Sequence, residues 1–278
     1  GWLINDAVRG QTILVETGPA SAVPELLRQL EAHGKNKIDF LIYTHIHLDH
    51  SGGAGQFIAC HPETKVLAPE KGRPHLVDPS KLIAGSRTSL GSLCDVYGTP
   101  LPLPAESLIE GGIAGLSVID TPGHAPHHSS YIYELDGLRI LFAGEAAGCW
   151  FRLDDGGCFM RPATPHKFFY DTAMASLNKL LSLQDVDLVC FPHSGYLKDA
   201  RAVFEAARNQ MALWLEILSS LPEKASPEAA VSALKAQDPM LAKLEKMPEM
   251  AGKREEFFIG QSAKGYLGWI ERERSAGV

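Results

Sequence analysis

No stretch of this 278-residue chain approaches the ~20 apolar residues of a membrane-spanning helix, so no membrane association is expected. Cysteine is sparse and unpatterned. Cys60, Cys94, Cys149, Cys158 and Cys190 contain no CxxC pair, which argues against a disulfide framework and for reduced thiols in a cytoplasmic setting. Their expected role is that of small buried apolar residues. Positive charge is in deficit as well: 26 Lys and Arg against 33 Asp and Glu give a net charge of −7, so nucleic acid is not an expected partner. Gly1-Trp2-Leu3-Ile4, followed closely by Asn5, Asp6 and Arg9, does not have the pattern of a signal peptide. Also missing are a 20–50-residue repeat, a low-complexity break and the G-x-S-x-G elbow of a serine hydrolase.

What remains is an ordinary globular composition, 45% hydrophobic and 21% charged, in a chain long enough for one sizeable domain with an appended subdomain. "GWLIND" and "QTILVETGP" predict two strands joined by a turn at 8–10. "PELLRQLEAH" has the apolar stripe of a helix stopped by Gly34. "IDFLIYTH" has the continuous apolar run of a buried strand, and "TKVLAP" is a shorter one. Residues 80–112 predict a helix and then a Pro-rich extended loop. "LSVIDTPGH", "SSYIYEL" and "LRILFAGEA" are further strands, the last two joined by a hairpin turn at Asp136-Gly137. A helix over 171–183 leads to the buried strand "VDLVCFPH". Beyond residue 198, Val203, Ala207, Met211, Trp214, Leu218 and Leu221 form a helical stripe, Ser226-Pro227 opens another helix, and a third covers 257–273. The division is therefore 1–198 and a helical extension over 199–278.

The chemistry gathers in "THIHLDHSGG". His45 and His47 lie two apart at a strand end and so point to one face; Asp49 and His50 follow in the turn, and Gly52-Gly53 allow tight folding beneath them. Imidazoles and carboxylates are the usual ligands of zinc, iron and related metals. The pattern then recurs: "LSVIDTPGH" ends at His124, "LRILFAGE" at Glu145 and "VDLVCFPH" at His193, so four buried strands each deliver metal-type ligands from their C-terminal ends.

With HxHxDH and Gly-Gly, TPGH, a carboxylate after a strand end and a late His in this order, the chain resembles the metallo-β-lactamase-fold hydrolase superfamily, close to its general hydrolase and glyoxalase-II-like branch. The likeness covers residues 1 to about 200. It implies an α/β fold, an αββα four-layer sandwich, here with a C-terminal helical extension. It also implies one metal held by His45, His47 and His124, a second held by Asp49, His50 and His193, and Glu145 bridging them. The family's usual bridging residue is Asp, so Glu145 is a departure of one methylene. The implied cofactors are two divalent ions, zinc first, with iron or manganese as alternatives. Asp49 would orient the attacking water as well as ligate.

Around this set, Asp120 is expected to support a ligand imidazole, His127 and His128 to line the pocket or back the ligands, and Tyr196 to reach the oxyanion or pack. The aromatics of the C-terminal helices imply core packing, a roof over the site or a homodimer interface. The function expected is metal-dependent hydrolysis of a small ester, thioester, lactone or amide by a metal-activated water. The alternatives are iron-dependent sulfur-dioxygenase-like redox chemistry and a metal-bearing binding or signalling protein.

Overall fold

Asp6 and Gln11 close a hairpin at the start of the chain, in the computed structural model that describes residues 1–277: β1 (Trp2–Asp6) runs antiparallel to β2 (Gln11–Val15), with Gly10 at φ 64° in the intervening turn. A parallel partner for β2 requires a crossover, which α1 (Val23–Ala32) supplies with Val23 and Leu30 buried. It leads to β3 (Phe40–Ile42). The apolar run predicted as one long strand leaves the ladder after Ile42, and its last residues continue as the connection that carries the histidines. There α2 (Leu48–Ser51) replaces the expected turn and is followed by α3 (Ala54–Cys60) and the parallel strand β4 (Lys65–Leu67). The four strands lie in the order β1-β2-β3-β4. Leu14, Leu30, Ile38, Leu41, Tyr43, Ile46, Phe57 and Val66 are among the buried side chains of their core.

After α4 (Arg73–Val77), the one helix predicted from residue 80 onward is divided into α5 (Ser80–Leu90) and α6 (Leu93–Tyr97), parted by Gly91 at φ 57°. The Pro-rich stretch is irregular apart from one tight turn at Ala105–Ser107. Next come β5 (Leu116–Asp120) and β6 (Ser129–Leu135), neighbours in a sheet. Asp136 and Gly137 after β6 both have positive φ (51° and 80°), as a two-residue hairpin turn requires.

β7 (Leu138–Phe142), the hairpin of β8 (Cys149–Arg152) and β9 (Cys158–Arg161), α7 (Tyr170–Leu181), β10 (Leu188–Phe191) and β11 (Gly195–Lys198) come next. β10 pairs in parallel with β7 and antiparallel with β11. The last elements are α8 (Arg201–Ser219), α9 (Pro227–Gln237) and α10 (Glu249–Ala276), the last extending eight residues further toward the N-terminus than its sequence pattern predicts. Ser226 caps α9, its hydroxyl accepting from the Ala229 N–H at 3.2 Å. Phe204, Ala207, Met211, Trp214 and Leu218 line the buried face of α8 at steps of three and four. The Asp238 carboxylate at the end of α9 ties that face down, accepting from Trp214 Nε1 (2.8 Å) and Gln210 Nε2 (2.7 Å). Trp214 and Tyr266 are fully buried, so these two aromatics are core. No described helix is long and apolar enough to cross a membrane.

Contacts group the chain into two units, residues 1–119 with 131–137, and 120–130 with 138 onward.

Candidate metal centre

The first unit gathers four of the predicted ligands. Past β3 the chain bends at Thr44, and His47 takes the N-cap position of α2 with φ −62° and ψ 154°. The His45 and His47 rings meet edge-on, centroids 4.7 Å apart, so the two do share a face. The His50 ring lies 4.1 Å from that of His45, and its Nε2 is 3.6 Å from Asp49 Oδ2. His45 and His50 are buried; His47 and Asp49 are partly exposed. A Cβ at Gly53 would sit 2.4 Å from Val23 Cγ2, so any larger residue there requires Val23 to move.

One residue that the sequence patterns did not single out organises this cluster. Glu16 follows β2 at φ 64°, a left-handed conformation that a non-glycine residue adopts only when its surroundings impose it. Its N–H donates to the Ile42 carbonyl (2.9 Å), while the N–H groups of Thr17 and Gly18 both donate to the His50 carbonyl (3.2 and 3.0 Å). The bend therefore wraps the end of α2 and sends the Glu16 carboxylate inward. Oε2 accepts from His50 Nδ1 at 2.8 Å, and Oε1 accepts from the Thr44 hydroxyl. The hydroxyl's only proton is used there, so Thr44 Oγ1 can meet His45 Nδ1, 3.0 Å away, only as an acceptor. Both imidazoles thus carry hydrogen on Nδ1 and a lone pair on Nε2, the tautomer a metal ligand needs. Burial alone would raise the Glu16 carboxyl; His50, by its hydrogen bond and by its charge in the protonated, metal-free form, and the Thr44 hydroxyl outweigh burial and hold it at about 2.

The second unit gathers the rest around Glu145. After β5 the chain turns through Gly123 (φ 153°), where a Cβ would press within 2.8 Å of Ala173. His124 then donates from Nδ1 to the Ala163 carbonyl (3.0 Å) and directs Nε2 to Glu145 Oε2 (2.9 Å). His193, just past β10, brings its Nε2 to 3.5 Å from Glu145 Oε1. His128 is fully buried behind them. Its Nε2 accepts from the Glu145 N–H (3.0 Å), so its Nδ1 donates to Thr121 Oγ1 (2.9 Å). His128 therefore fixes the backbone that carries the longer carboxylate. Cys149 is more than a small apolar residue, because its thiol donates to Glu145 Oε1 at 2.7 Å. Burial pushes that thiol well up; nearby Arg161 opposes the rise and Glu145 adds to it, so S–H is the form facing the carboxylate. Donor atoms of Glu145, Cys149 and His193 all lie within 4.8 Å of one another.

Asp120 is exposed and its carbonyl accepts from Lys179 Nζ; the oxygen partner expected of it is supplied to His124 by Ala163. Tyr196 is half exposed on β11, with its carbonyl accepting from Arg152. His127 is partly exposed in the loop after His124.

The description of the metallo-beta-lactamase superfamily matches residues 2–193, more than half of the chain. The chain belongs to this superfamily. Solved structures agree on the fold. The archaeal metallo-beta-lactamase superfamily protein ST1585 from Sulfolobus tokodaii aligns with a TM-score of 0.65 at 23% identity, covering 95% of this chain and 90% of its own. A metallo-beta-lactamase family protein from Thermus thermophilus, TTHA1429, aligns at 0.63 and 22%, covering 98% and 87%. The α/β metallo-beta-lactamase fold expected from the motifs, with helices at the C-terminus, is therefore correct. By sequence the chain is 29% identical to a hydroxyacylglutathione hydrolase of Cupriavidus taiwanensis over 242 residues, 84% of this chain and 73% of the relative. As a superfamily member the chain is a metallo-hydrolase, and its His, Asp and Glu groups suit a divalent metal.

Proposed function

We propose that this metallo-beta-lactamase superfamily member hydrolyses a small acyl thioester. Its centre would hold two divalent ions, zinc first: His45, His47 and His124 for one, Asp49, His50 and His193 for the other, with Glu145 shared. The observation that carries the metal part is the Glu16–Thr44–His45 and Glu16–His50 network, which keeps a lone pair on Nε2 of two buried imidazoles. The thioester part rests on the relatives named hydroxyacylglutathione hydrolase, since an acyl group on glutathione is a thioester. When bound, the ions supply Lewis acidity and lower the pKa of water.

The chain's own residues do the rest. Asp49, partly exposed beside His50, would orient the attacking water as well as ligate. The His128 imidazole holds the Glu145 backbone N–H, and the Cys149 thiol restrains the shared carboxylate itself. In this reading residues 1–198 form the hydrolytic domain, and 199–278 are an extension that supports the substrate side.

Steady-state assays on a thioester, an oxygen ester, a lactone and a phosphodiester, with metal content measured on the same preparation, test the proposal. The expected result is turnover greatest on the thioester, lost with a chelator and restored by zinc. Full metal occupancy without hydrolysis of any of the four would overturn it.

A further inference from the structure

The carbonyl that orients His124 lies in a stretch with no strand ladder to place it. Between β9, ending at Arg161, and α7, starting at Tyr170, the chain has no regular structure, and Pro162 and Pro165 bring no N–H to it. The partners of this stretch come from α10. Ser262, buried on that helix, donates its hydroxyl proton to the Pro162 carbonyl (3.0 Å) and accepts at Oγ from the Thr164 N–H (3.3 Å). The Thr164 hydroxyl in turn donates to the Ser262 carbonyl (2.9 Å). One residue of α10 therefore grips both neighbours of Ala163.

The helix comes close enough for this because position 265 carries no side chain. A Cβ at Gly265 would collide with the Pro165 carbonyl and sit 2.8 Å from Thr164 Oγ1. The two ends of the stretch are tied to the same helix. Arg161 is ion-paired with the buried Glu255 at 2.6 Å, and Arg272 donates to the Phe168 carbonyl. Glu255, Ser262, Gly265 and Arg272 follow one another at steps of seven, three and seven, so a single face of α10 holds the whole stretch.

We propose that α10 positions the Ala163 carbonyl and, through it, the metal-facing nitrogen of His124, which makes Ser262 and Thr164 positioning residues of the metal centre. An imidazole whose Nδ1 hydrogen meets a fixed acceptor keeps its lone pair on Nε2 and one ring orientation; a displaced acceptor lets the ring turn away from the ion. The helical extension then does more than border the substrate: it sets the affinity of the centre for metal. The proposal rests on the reading of His124 as a ligand.

The test measures zinc affinity, by competition with a chromophoric chelator, for wild type, Thr164→Val, Thr164→Ser, Ser262→Ala and Tyr266→Phe, each with and without His124→Ala. Melting temperatures of the metal-free proteins are recorded alongside. Tyr266→Phe is the control, because the Tyr266 hydroxyl donates to the Met211 carbonyl (3.2 Å) and its loss loosens the same helix against α8 without touching Thr164 or Ser262. Thr164→Val and Ser262→Ala are expected to weaken zinc binding about tenfold, while Thr164→Ser and Tyr266→Phe bind as wild type does. With His124 removed, Thr164→Val and Ser262→Ala should cause no further loss. Unchanged affinity in both variants, an equal loss without His124, or a matching loss in Tyr266→Phe would overturn the positioning role and leave the ligand set standing. If His124→Ala alone leaves the affinity unchanged, His124 is no ligand and the reading beneath the proposal falls with it.

Discussion

The two halves of the proposed centre are built in opposite ways. In the first unit the ligands are contiguous, His45 to His50, and their support comes from a distant side chain, Glu16. In the second the ligands are scattered over 124–193, and His124 is oriented by a backbone carbonyl, that of Ala163. A carboxylate support can be lost by a single substitution, whereas a carbonyl belongs to every residue type. The histidine-rich half is therefore the one whose ligands are held directly by a side chain outside the motif. The scattered half depends on the positions of strand ends and on the groups that fix Glu145 and the Ala163 carbonyl.

The largest effect should come from removing a first-half ligand. His45→Ala is expected to abolish metal retention and reduce hydrolysis to background, measured by metal analysis and initial rates; unchanged metal content would remove His45 from the ligand set. A smaller loss tests the second half. Glu145→Gln keeps the shape but removes the charge facing His124 and His193, so the metal-to-chain ratio should fall toward one, with much of the first site kept. A ratio that stays at two would show that Glu145 is not shared.

Smaller again is the thiol. Cys149→Val removes the donor to Glu145 Oε1 and should lower kcat several-fold, with Cys149→Ser restoring most of it; equal loss in both variants would point to packing alone. The smallest effect serves as a control away from the metal. The Arg9 N–H, the Tyr133 hydroxyl and the Arg9 guanidinium hold Asp6 at about 2 against the usual 3.8. A lowered carboxyl stabilises above its unfolded pKa, and that contribution is lost as pH falls through the folded value. Stability should therefore decline between pH ~4 and ~2, less steeply in Asp6→Asn, and equally with or without zinc. The Glu16 contribution, in a similar window, should change with metal loading; denaturation at stepped pH with and without zinc separates the two.

These contrasts also explain what the sequence made legible. Ligand density in "THIHLDHSGG" is a local signal, and the other three proposed ligands repeat one positional rule, a donor just past a strand end, although β5 before His124 is largely exposed and not buried as expected. Glu16 obeys the same rule, after β2 in "VETGP", but a lone acid there has no pattern to set it apart. Its inward turn depends on a positive φ imposed by residues of β3 and α2. The role expected of Asp120 went to Ala163 because any residue can offer a carbonyl, so composition around His124 could not reveal the partner. The cations beside His193 likewise come together from residues far apart in the sequence.

Zinc affinity of wild type and Glu16→Gln, measured by competition with a chromophoric chelator, tests the central claim most directly. An amide can accept from one of the two donors now bound, but not from both with the strength of a carboxylate. The affinity is expected to fall about 10–100-fold while the variant keeps its fold. Equal affinity in the two proteins would contradict the account, because the histidines would then hold metal without the carboxylate that sets their tautomers.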